Sequence, residues 1–469
     1  MKQKQRSGYL NWDMIKIIVA LAWPTVVEQA MQTAVQYIDT AMVGSLGTQA
    51  TAAVGATSTV NWLISGSIGA LSIGFLAFIA KACGANDKAA AKKSVSQAVF
   101  VTLVVGVFFT ALTLGISGYV PVWMQVDESI QSMAAKYFFI LYIPMLPRTA
   151  SIMFGTVLRA AGDTKTPMKV GVLVNIINII LNFLLIYPTR TVSWFGLEFT
   201  MFGAGYGVLG AAASSAIAFA FGGIYITVVL WRHPMVSPKG QSIKPDMEIL
   251  RPCLKVAVPN MLQRFGTSLG YVAFASMINS LGEVATAAHT IANTVESAFY
   301  IPGFGMQTAA ATLAGNAYGA KDNKRMKDTA AMFIPIVVGL MIISGGALFI
   351  FAPSLMGIFS KSPQVIHLGS TVLRMVALSE PFYGFSIIVE GFLMGVGKTK
   401  IPFMFNLAGM WGVRIVGTFI CTQLLGLNLV AAWGCMIGHN MLLFVLYTIC
   451  HIKGSWNPLR DMPQATDCE

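Results

Sequence analysis

The stretch "GDTKTP" at residues 162–167 returns as "GKTKIP" at residues 397–402, which is 235 positions further along the chain. Three more pairs keep this offset in the same order: "SLG" at 45–47 and 280–282, "TAA" at 51–53 and 286–288, and "GAND" at 84–87 with "GAKD" at 319–322. A single short match is common, but four ordered matches at one offset indicate an internal duplication. The chain therefore consists of two related halves.

The repeated G-x-T-K-x-P stretch has the composition of a turn between two helices. Glycine favours the end of one helix, and proline fits the first turn of the next. A lysine at this point suits the anionic cytoplasmic face of a membrane. We interpret both copies as structural turns.

The composition predicts a membrane protein. Of the 469 residues, 55% are hydrophobic and only 11% are charged, whereas a soluble domain has about 25% charged residues. A spanning helix needs roughly 20 mainly apolar residues, and twelve such segments occur: 15–43, 50–80, 95–119, 131–160, 167–189, 203–231, 249–280, 285–315, 329–355, 366–395, 402–424 and 428–452. We expect an all-α integral membrane protein with twelve transmembrane helices in two pseudo-symmetric six-helix lobes.

The repeat offset covers six segments, so both halves enter the membrane from the same side and are related by an axis along the membrane normal. A polar, proline-containing segment separates them. The sequence thus predicts an N-terminal six-helix lobe at 1–235, a cytoplasmic linker at 236–248, and a C-terminal six-helix lobe with a short cytoplasmic tail at 249–469.

The net charge of +12 is distributed over the connections between segments. If the N-terminus is cytoplasmic, the opposite side holds only Lys136, Arg190 and Lys361, which is a positive-inside bias. We expect a multi-pass protein of the inner (plasma) membrane with cytoplasmic N- and C-termini. Because the charge does not gather on one face, nucleic acid is not an expected partner, and we expect a monomer in the lipid bilayer.

Asp39 lies in the first apolar segment, where an acid at a helix centre costs about 2.5–3.5 kcal/mol. Glu28, Gln32 and Gln36 precede it at spacings that place all four on one helix face. Such a polar stripe does not face lipid, and an acid in it marks an ion or substrate path. Pro24, earlier in the same helix, predicts a kink or hinge.

The fifth segment carries Asn175, Asn178 and Asn182 on one face, and the sixth carries Ser214 and Ser215 in a run of small residues. With the first segment, these residues could form a polar pocket in the first lobe. The alternative is that the amides only hold neighbouring helices together.

The second half is not a polar copy of the first. The position 235 residues after Asp39 is Phe274, and Glu296 corresponds to Asn61. We expect intramembrane ion pairs among the charged residues of the seventh, eighth, tenth and eleventh segments: Arg264, Glu296, Glu380, Glu390 and Arg414.

The sequence lacks the common signatures of catalytic and metal sites. Its six cysteines are scattered without a C-x-x-C, and neither H-E-x-x-H nor G-x-S-x-G occurs. We therefore expect neither an enzyme nor a structural metal centre.

Three stretches resemble the multidrug and toxic compound extrusion (MATE) family. Pro24 followed by Asp39, which opens "D-x-x-x-V-G-x-L-G", is similar to helix 1 of that family. Residues 285–320 resemble its helix 8, and "VLRAAGDTKTP" at 157–167 resembles its turn between helices 4 and 5. The match runs in order along the whole chain.

The resemblance implies a secondary active antiporter without a cofactor. Such a protein exports amphipathic or cationic small molecules, including drugs and toxins, in exchange for H⁺ or Na⁺ by alternating access. The alternative is a flippase for lipid-linked precursors from the same superfamily, whose members line their cavity with arginines.

The resemblance also implies roles for individual residues. The cation-coupling group consists of Asp39, Asn178, Asn182 and Ser215. Supporting or cavity positions are Glu28, Gln36, Tyr37, Asn175, Glu296 and Glu390, and the hinge is Pro24. Asn182 stands where many members have a second acid. One carboxylate with two amides favours H⁺, although amide and carboxylate oxygens at Asp39 could also bind Na⁺, the one metal ion expected.

Overall fold

The structure is a computed structural model, and it describes residues 12–124, 126–194 and 197–460. The described residues of the first half form eight helices and one hairpin: α1 (Trp12–Gly44), α2 (Thr48–Gly84), α3 (Lys88–Ile116), α4 (Val120–Trp123), α5 (Glu128–Tyr142), α6 (Met145–Ala160), α7 (Lys165–Leu185), β1 (Pro188–Trp194), β2 (Leu197–Ala204) and α8 (Gly207–Arg232).

The second half is helical throughout its described elements: α9 (Met247–Asn279), α10 (Glu283–Phe299), α11 (Ile301–Gly319), α12 (Asn323–Phe359), α13 (Pro363–Ala377), α14 (Glu380–Gly395), α15 (Lys400–Leu407), α16 (Val416–Phe419) and α17 (Leu429–Ile452). Two π-helical segments, Ala408–Ile415 and Ile420–Leu424, join α15 and α16 into one continuous helix that ends at Leu424.

Each of the twelve predicted segments overlaps one such helix or two successive ones, and the prediction of an all-α integral membrane protein is confirmed. Among the described residues, eight helices are long and apolar enough to cross a membrane. Two bent pairs, α5 with α6 (51°) and α13 with α14 (54°), raise this to ten. The other two predicted segments are α9 and the pair α10–α11. They carry charged residues such as Arg264 and Glu296, which lower their hydropathy.

The repeated stretch forms a turn between two helices in both halves. Gly162 and Gly397 adopt φ of 87° and 80°, which glycine reaches without steric cost. In each copy the proline lies in the first turn of the following helix, as Pro167 in α7 and Pro402 in α15. The interpretation of these stretches as turns between helices is therefore confirmed.

The hairpin β1–β2 was not predicted, and the sixth segment begins at Gly207 rather than near residue 203. The two strands pair antiparallel from Pro188 opposite Ala204 to Trp194 opposite Leu197. Their β-branched and aromatic residues favour strands, but the segment is short and lies between two strong helices. The sequence pattern therefore predicts only a connection between two helices here.

By internal contacts the chain forms two compact units. The N-unit comprises Val27–Phe75 and Lys88–Leu254; the C-unit comprises 12–26, 76–87 and 255–460. Helices α1 and α2 thus contribute residues to both. The lobes inferred from the repeat, 1–235 and 249–469 with the linker 236–248, stay a prediction.

The predicted linker is bound to α3 within the N-unit. Lys93 Nζ lies 2.6 Å from Asp246 Oδ2. Gln97 donates to the Lys244 carbonyl and accepts from the Asp246 amide, each at 2.9 Å. The hydrogen bond from Lys93 lowers the pKa of the Asp246 carboxyl. These contacts hold the end of the linker at a fixed place before α9 begins.

Close packing of α6 and α8 depends on Gly223. A Cβ atom at this position would collide with the backbone carbonyl of Pro147. Because the neighbour is backbone, it cannot move aside as a flexible side chain would. We expect Gly223→Ala to destabilise the protein by about 1–3 kcal/mol, the usual cost of overpacking, and to lower its thermal unfolding temperature in detergent.

Gly115→Ala is the matched control, because a Cβ at Gly115 in α3 meets nothing within 4 Å. This variant should unfold at the parent temperature or slightly above it, since alanine favours a helix more than glycine. Equal unfolding temperatures for the two variants would contradict the packing argument.

Candidate cation-coupling site

Four polar residues of α1, α7 and α8 form one hydrogen-bonded chain in the N-unit. Asn182 Nδ2 donates to Asp39 Oδ1 at 2.5 Å and to Asn178 Oδ1 at 3.3 Å. Asn178 Nδ2 in turn donates to Ser215 Oγ at 3.0 Å. These are the four residues assigned to cation coupling from the sequence, and the fold brings all of them together.

The local sequence explains this arrangement. Asn178 and Asn182 are four residues apart, so they lie one above the other on α7. The amide of Tyr206 donates to the Leu185 carbonyl at 2.9 Å, and that of Gly207 donates to the Ile186 carbonyl at 3.0 Å. These bonds fix the start of α8 beside the end of α7. Ser215, two turns into α8, then reaches Asn178.

The side chains of this hydrogen-bonded group differ in how deeply they are buried. Asn182 is 1% exposed and Asn178 is 4% exposed, whereas Asp39 is half-buried. Within the described part of the protein, Asn182 Oδ1 and Asn175 Nδ2 are buried and have no hydrogen-bond partner. Unsatisfied buried polar atoms are costly, so the site has unused capacity for a ligand next to an acid that is still reachable.

The oxygen atoms of this site are suited to either ion expected from the sequence, H⁺ or Na⁺. The carboxylate of Asp39 can take up a proton. Together with Asn182 Oδ1 and Ser215 Oγ, it also offers the oxygen ligands that hard cations prefer. The described residues contain no group of three or more His, Cys, Asp or Glu placed to hold a metal ion. Binding of Na⁺ at Asp39 stays a prediction.

Glu28 has a different environment from Asp39, although both belong to the same sequence stripe. Its carboxylate pairs with Arg159 Nη1 at 3.0 Å, and Arg159 also donates to Thr156. Both members of the pair are largely buried. Glu28 is therefore held by a permanent counter-charge on α6.

The other residues of α1 that were assigned roles from the sequence lie before and after Glu28. Gln36 and Tyr37 have exposed side chains. Pro24 is buried inside α1, three residues before the point where the helix passes from the C-unit to the N-unit at Val27. The neighbouring Thr25 donates to the carbonyls of Ala22 and Gly305. The hinge role of Pro24 stays a prediction.

Glu296 and Glu390 lie in the C-unit. Glu296 Oε1 accepts a hydrogen bond from the Tyr300 hydroxyl at 2.5 Å. Glu390 Oε1 accepts from Gln263 Nε2 at 2.8 Å and from Asn406 Nδ2 at 3.4 Å. Their assigned roles in the substrate cavity are not tested by these contacts.

The expected ion pairs of the second half are wrong for the residues that the structure describes. None of the five charged residues forms a salt bridge with another. Arg264 is exposed, and the Arg414 guanidinium lies over the rings of Phe274 at 4.1 Å and Tyr271 at 4.7 Å. Arg414 is therefore stabilised by aromatic rings, which attract a cation without a carboxylate, and not by the acids that the sequence suggested.

Sequence reasoning missed two features of the N-unit. Arg148 is buried and donates to Asn61 Oδ1 at 2.8 Å and Ser65 Oγ at 2.9 Å. The Tyr187 hydroxyl lies 2.8 Å from Ser45 Oγ and so ties the end of α7 to the end of α1. Neither contact has a signal in sequence spacing, because each joins segments far apart in the chain.

Comparison with known proteins gives consistent matches. The MatE family model matches residues 24–184 and 259–420. The probable multidrug resistance protein NorM of Thermotoga maritima is 28% identical over 450 residues, which are 95% of this chain and 93% of the relative. The probable multidrug resistance protein YpnP of Bacillus subtilis is 25% identical over 89% of this chain and 91% of its own length.

A similar fold is found in a solved structure described as the outward-facing conformation of a multidrug resistance MATE family transporter of the MOP superfamily. The TM-score is 0.85 at 23% identity, and the match covers 97% of this chain and 100% of that one. At this level of identity the likeness concerns the fold alone.

The ion pair between Glu28 and Arg159 should stabilise the protein. Glu28→Gln leaves the largely buried Arg159 without this carboxylate, which we expect to cost about 3 kcal/mol and to lower the thermal unfolding temperature in detergent. Asp39→Asn should have a smaller effect, because an amide is cheaper than a carboxylate in the membrane. Arg159→Gln combined with Glu28→Gln should cost less than the sum of the two single changes. Additive losses would show that the pair contributes nothing.

Proposed function

Because the chain belongs to the MatE family, we propose that it is a multidrug-efflux transporter. The resemblance noted from the sequence is confirmed, and members of this family are multi-pass membrane transporters rather than enzymes. Two relatives that it matches over nearly their whole length are named as probable multidrug resistance proteins. The cargo proposed for this chain is an amphipathic or cationic small molecule. The relatives found lend no support to the flippase alternative.

Transport is proposed to be antiport driven by an ion gradient, with Asp39 as the coupling acid. The hydrogen-bonded chain Asp39–Asn182–Asn178–Ser215 carries this proposal. It holds an ionisable group of α1 against two helices of the same unit through a single strong contact. A change in the charge of Asp39 therefore acts directly on how α1 is held.

The proposed cycle follows from the strength of that contact. A hydrogen bond to a charged carboxylate is roughly twice as strong as one between neutral groups. When Asp39 takes up a cation from outside, its attraction for the Asn182 amide weakens, and the part of α1 beyond Pro24 is released from α7. The altered position of α1 is the proposed signal for releasing the exported compound outward by alternating access.

A proton is the proposed coupling ion. The site has one carboxylate and two amides, so it compensates the charge of a bound Na⁺ less well than two carboxylates would. The driving force is adequate, since one charge moved through 100 mV supplies about 2.3 kcal/mol.

The proposed setting is the inner (plasma) membrane, with a monomer whose termini are cytoplasmic. The distribution of lysine and arginine supports this orientation. Residues 1–11 and 461–469, where the termini lie, are outside the described residues. The family works without a cofactor.

Replacing Asp39 tests the proposed coupling. Asp39→Asn should fold and insert like the parent and should still bind the exported compound. It should lose at least 90% of efflux from proteoliposomes with an imposed pH gradient, because the amide cannot take up a proton. A tenfold loss of efflux corresponds to about 1.4 kcal/mol of coupling free energy. Asp39→Glu should keep part of the activity.

Asp13→Asn is the matched control, since it neutralises an exposed acid of α1 that pairs only with Lys16 in the same helix turn among the described residues. This variant should retain efflux per folded molecule. If Asp39→Asn exports as fast as the parent, or if both variants lose efflux equally, the coupling acid is not Asp39.

A separate experiment distinguishes proton coupling from Na⁺ coupling. In the parent, efflux should follow the pH gradient and should not respond to a Na⁺ gradient. Asn182→Asp adds a second carboxylate beside Asp39 and should introduce Na⁺-stimulated efflux, because the added charge favours a bound hard cation. Asn175→Asp, on the same helix face, is the control and should not do so. Na⁺-driven efflux by the parent would contradict proton coupling.

A further inference from the structure

Arg148 is a buried cation of the N-unit that has no carboxylate partner among the described residues. It lies on α6 and is 8% exposed. Its Nη2 donates to Asn61 Oδ1 at 2.8 Å and to Ser65 Oγ at 2.9 Å, and no salt bridge within the described part of the chain reaches it. Its Nη1 is buried there without any hydrogen-bond partner. A guanidinium stays charged in a protein, so Arg148 cannot escape the cost of burial by becoming neutral.

Two aromatic rings cover the guanidinium without balancing its charge. The ring of Phe219 on α8 lies 4.6 Å from it, and the ring of Tyr142 on α5 lies 5.6 Å from it. Such rings attract a cation, but they carry no net negative charge. The Tyr142 hydroxyl donates to Asn61 Oδ1 at 3.0 Å, so it competes with Arg148 for that acceptor. The buried guanidinium therefore still lacks an anion.

The side of α2 next to the guanidinium leaves room for a ligand. Ser65 and Gly69 are four residues apart and so lie on the same face of α2. A Cβ atom added at Gly69 would meet nothing within 4 Å. About one turn further, Ser72 Oγ lies 3.1 Å from Thr156 Oγ1 of α6. The open space thus lies between two points at which α2 and α6 are joined by hydrogen bonds.

The repeat places an acid, not a cation, at the equivalent site of the C-unit. Three residues of the N-unit site correspond, at the offset of 235 positions, to three residues of the C-unit that contact one another: Asn61 to Glu296, Ser65 to Tyr300 and Arg148 to Tyr383. The carboxylate has an amide as its counterpart, and the phenol of Tyr383 has a guanidinium. The two equivalent sites therefore have opposite charge, and the N-unit site favours a negatively charged ligand.

We propose that the space beside Arg148 binds a monovalent anion, either chloride or the carboxylate group of a small molecule. The anion accepts a hydrogen bond from Arg148 Nη1. The hydroxyl of Ser65, whose oxygen accepts from Arg148, turns its own hydrogen toward the ligand. Hydrogen bonds between charged groups are roughly twice as strong as neutral ones, and one guanidinium compensates one negative charge. Anion binding is a property of the resting protein; only a carboxylate on the exported compound rests on the proposed function.

The test measures anion binding to the purified full-length protein by isothermal titration calorimetry. Potassium chloride and potassium acetate are titrated separately in a sulfate buffer, because the second charge of sulfate would stay uncompensated at Arg148. The parent should bind one anion per molecule, and Arg148→Gln should bind it at least tenfold more weakly. Lys136→Gln, which removes an exposed cation of α5, is the matched control and should bind like the parent. Unchanged affinity in Arg148→Gln, or no saturable binding to the parent, overturns the proposal.

Gly69→Leu keeps the guanidinium and covers the case in which Arg148→Gln does not fold. Its side chain fills the open space beside Ser65, so it should also weaken anion binding at least tenfold. Gly115→Leu makes the same substitution at another glycine with nothing within 4 Å of an added Cβ, and it should bind like the parent. If Gly69→Leu binds as tightly as the parent, the anion does not occupy this space.

Efflux from proteoliposomes distinguishes the two sources of the anion. The compounds are an amphipathic carboxylic acid and its methyl ester. If the carboxylate of the exported compound is the ligand, Arg148→Gln should slow efflux of the acid and spare the ester. If chloride is the ligand, replacing chloride by sulfate should slow both compounds equally in the parent and should have no effect in Arg148→Gln. Saturable anion binding by a protein without antiport would contradict the proposed function and leave the anion site standing.

Discussion

The hydrogen bond between Asn182 and Asp39 is the contact on which the polar architecture of the N-unit depends. A carboxylate within a membrane helix is tolerated only if neighbouring groups compensate for its charge. Asn182 supplies that compensation through Nδ2, and the same atom bonds to Asn178, which bonds to Ser215. Helices α1, α7 and α8 are thereby joined at one point. Among the described residues, the bond from Asn182 is what links the acid of α1 to the two other helices.

The repeat inferred from the sequence pairs positions that differ in their chemistry. The positions equivalent to Asp39 and Asn182 are Phe274 and Gly417. In the C-unit, Phe274 lies under the guanidinium of Arg414, and Gly417 packs against Cys435. The second half therefore cannot repeat the bonding of the first. Its acids occur on other helices, as Glu296 on α10 and Glu380 on α14. The two units therefore place their buried acids at different positions and among different neighbours.

Sequence alone was sufficient where a signal is local or periodic. The repeated stretch predicted a turn between helices at Gly162 and at Gly397, and spacings of three and four residues placed Asn178 and Asn182 on one face of α7. The family resemblance assigned four residues to cation coupling, and the structure brings their side chains together. Local signals failed where a contact joins distant segments. The pairing of Glu28 with Arg159 crosses 131 positions, and nothing in either segment indicates the other.

The same limit explains the charged residues of the second half. Opposite charges on neighbouring helices suggested ion pairs, yet Arg414 packs on aromatic rings and Glu390 accepts hydrogen bonds from amides. Composition reveals how many charges a membrane protein contains but not which partner each one finds. The structure shows two kinds of acid in this protein, those with a permanent counter-charge and those without one. Glu28, paired with a permanent cation, cannot change its charge without a large loss of stability. Among the residues that the structure describes, Asp39 and Glu380 have no such cation, so uptake and loss of a proton cost them much less than they cost Glu28.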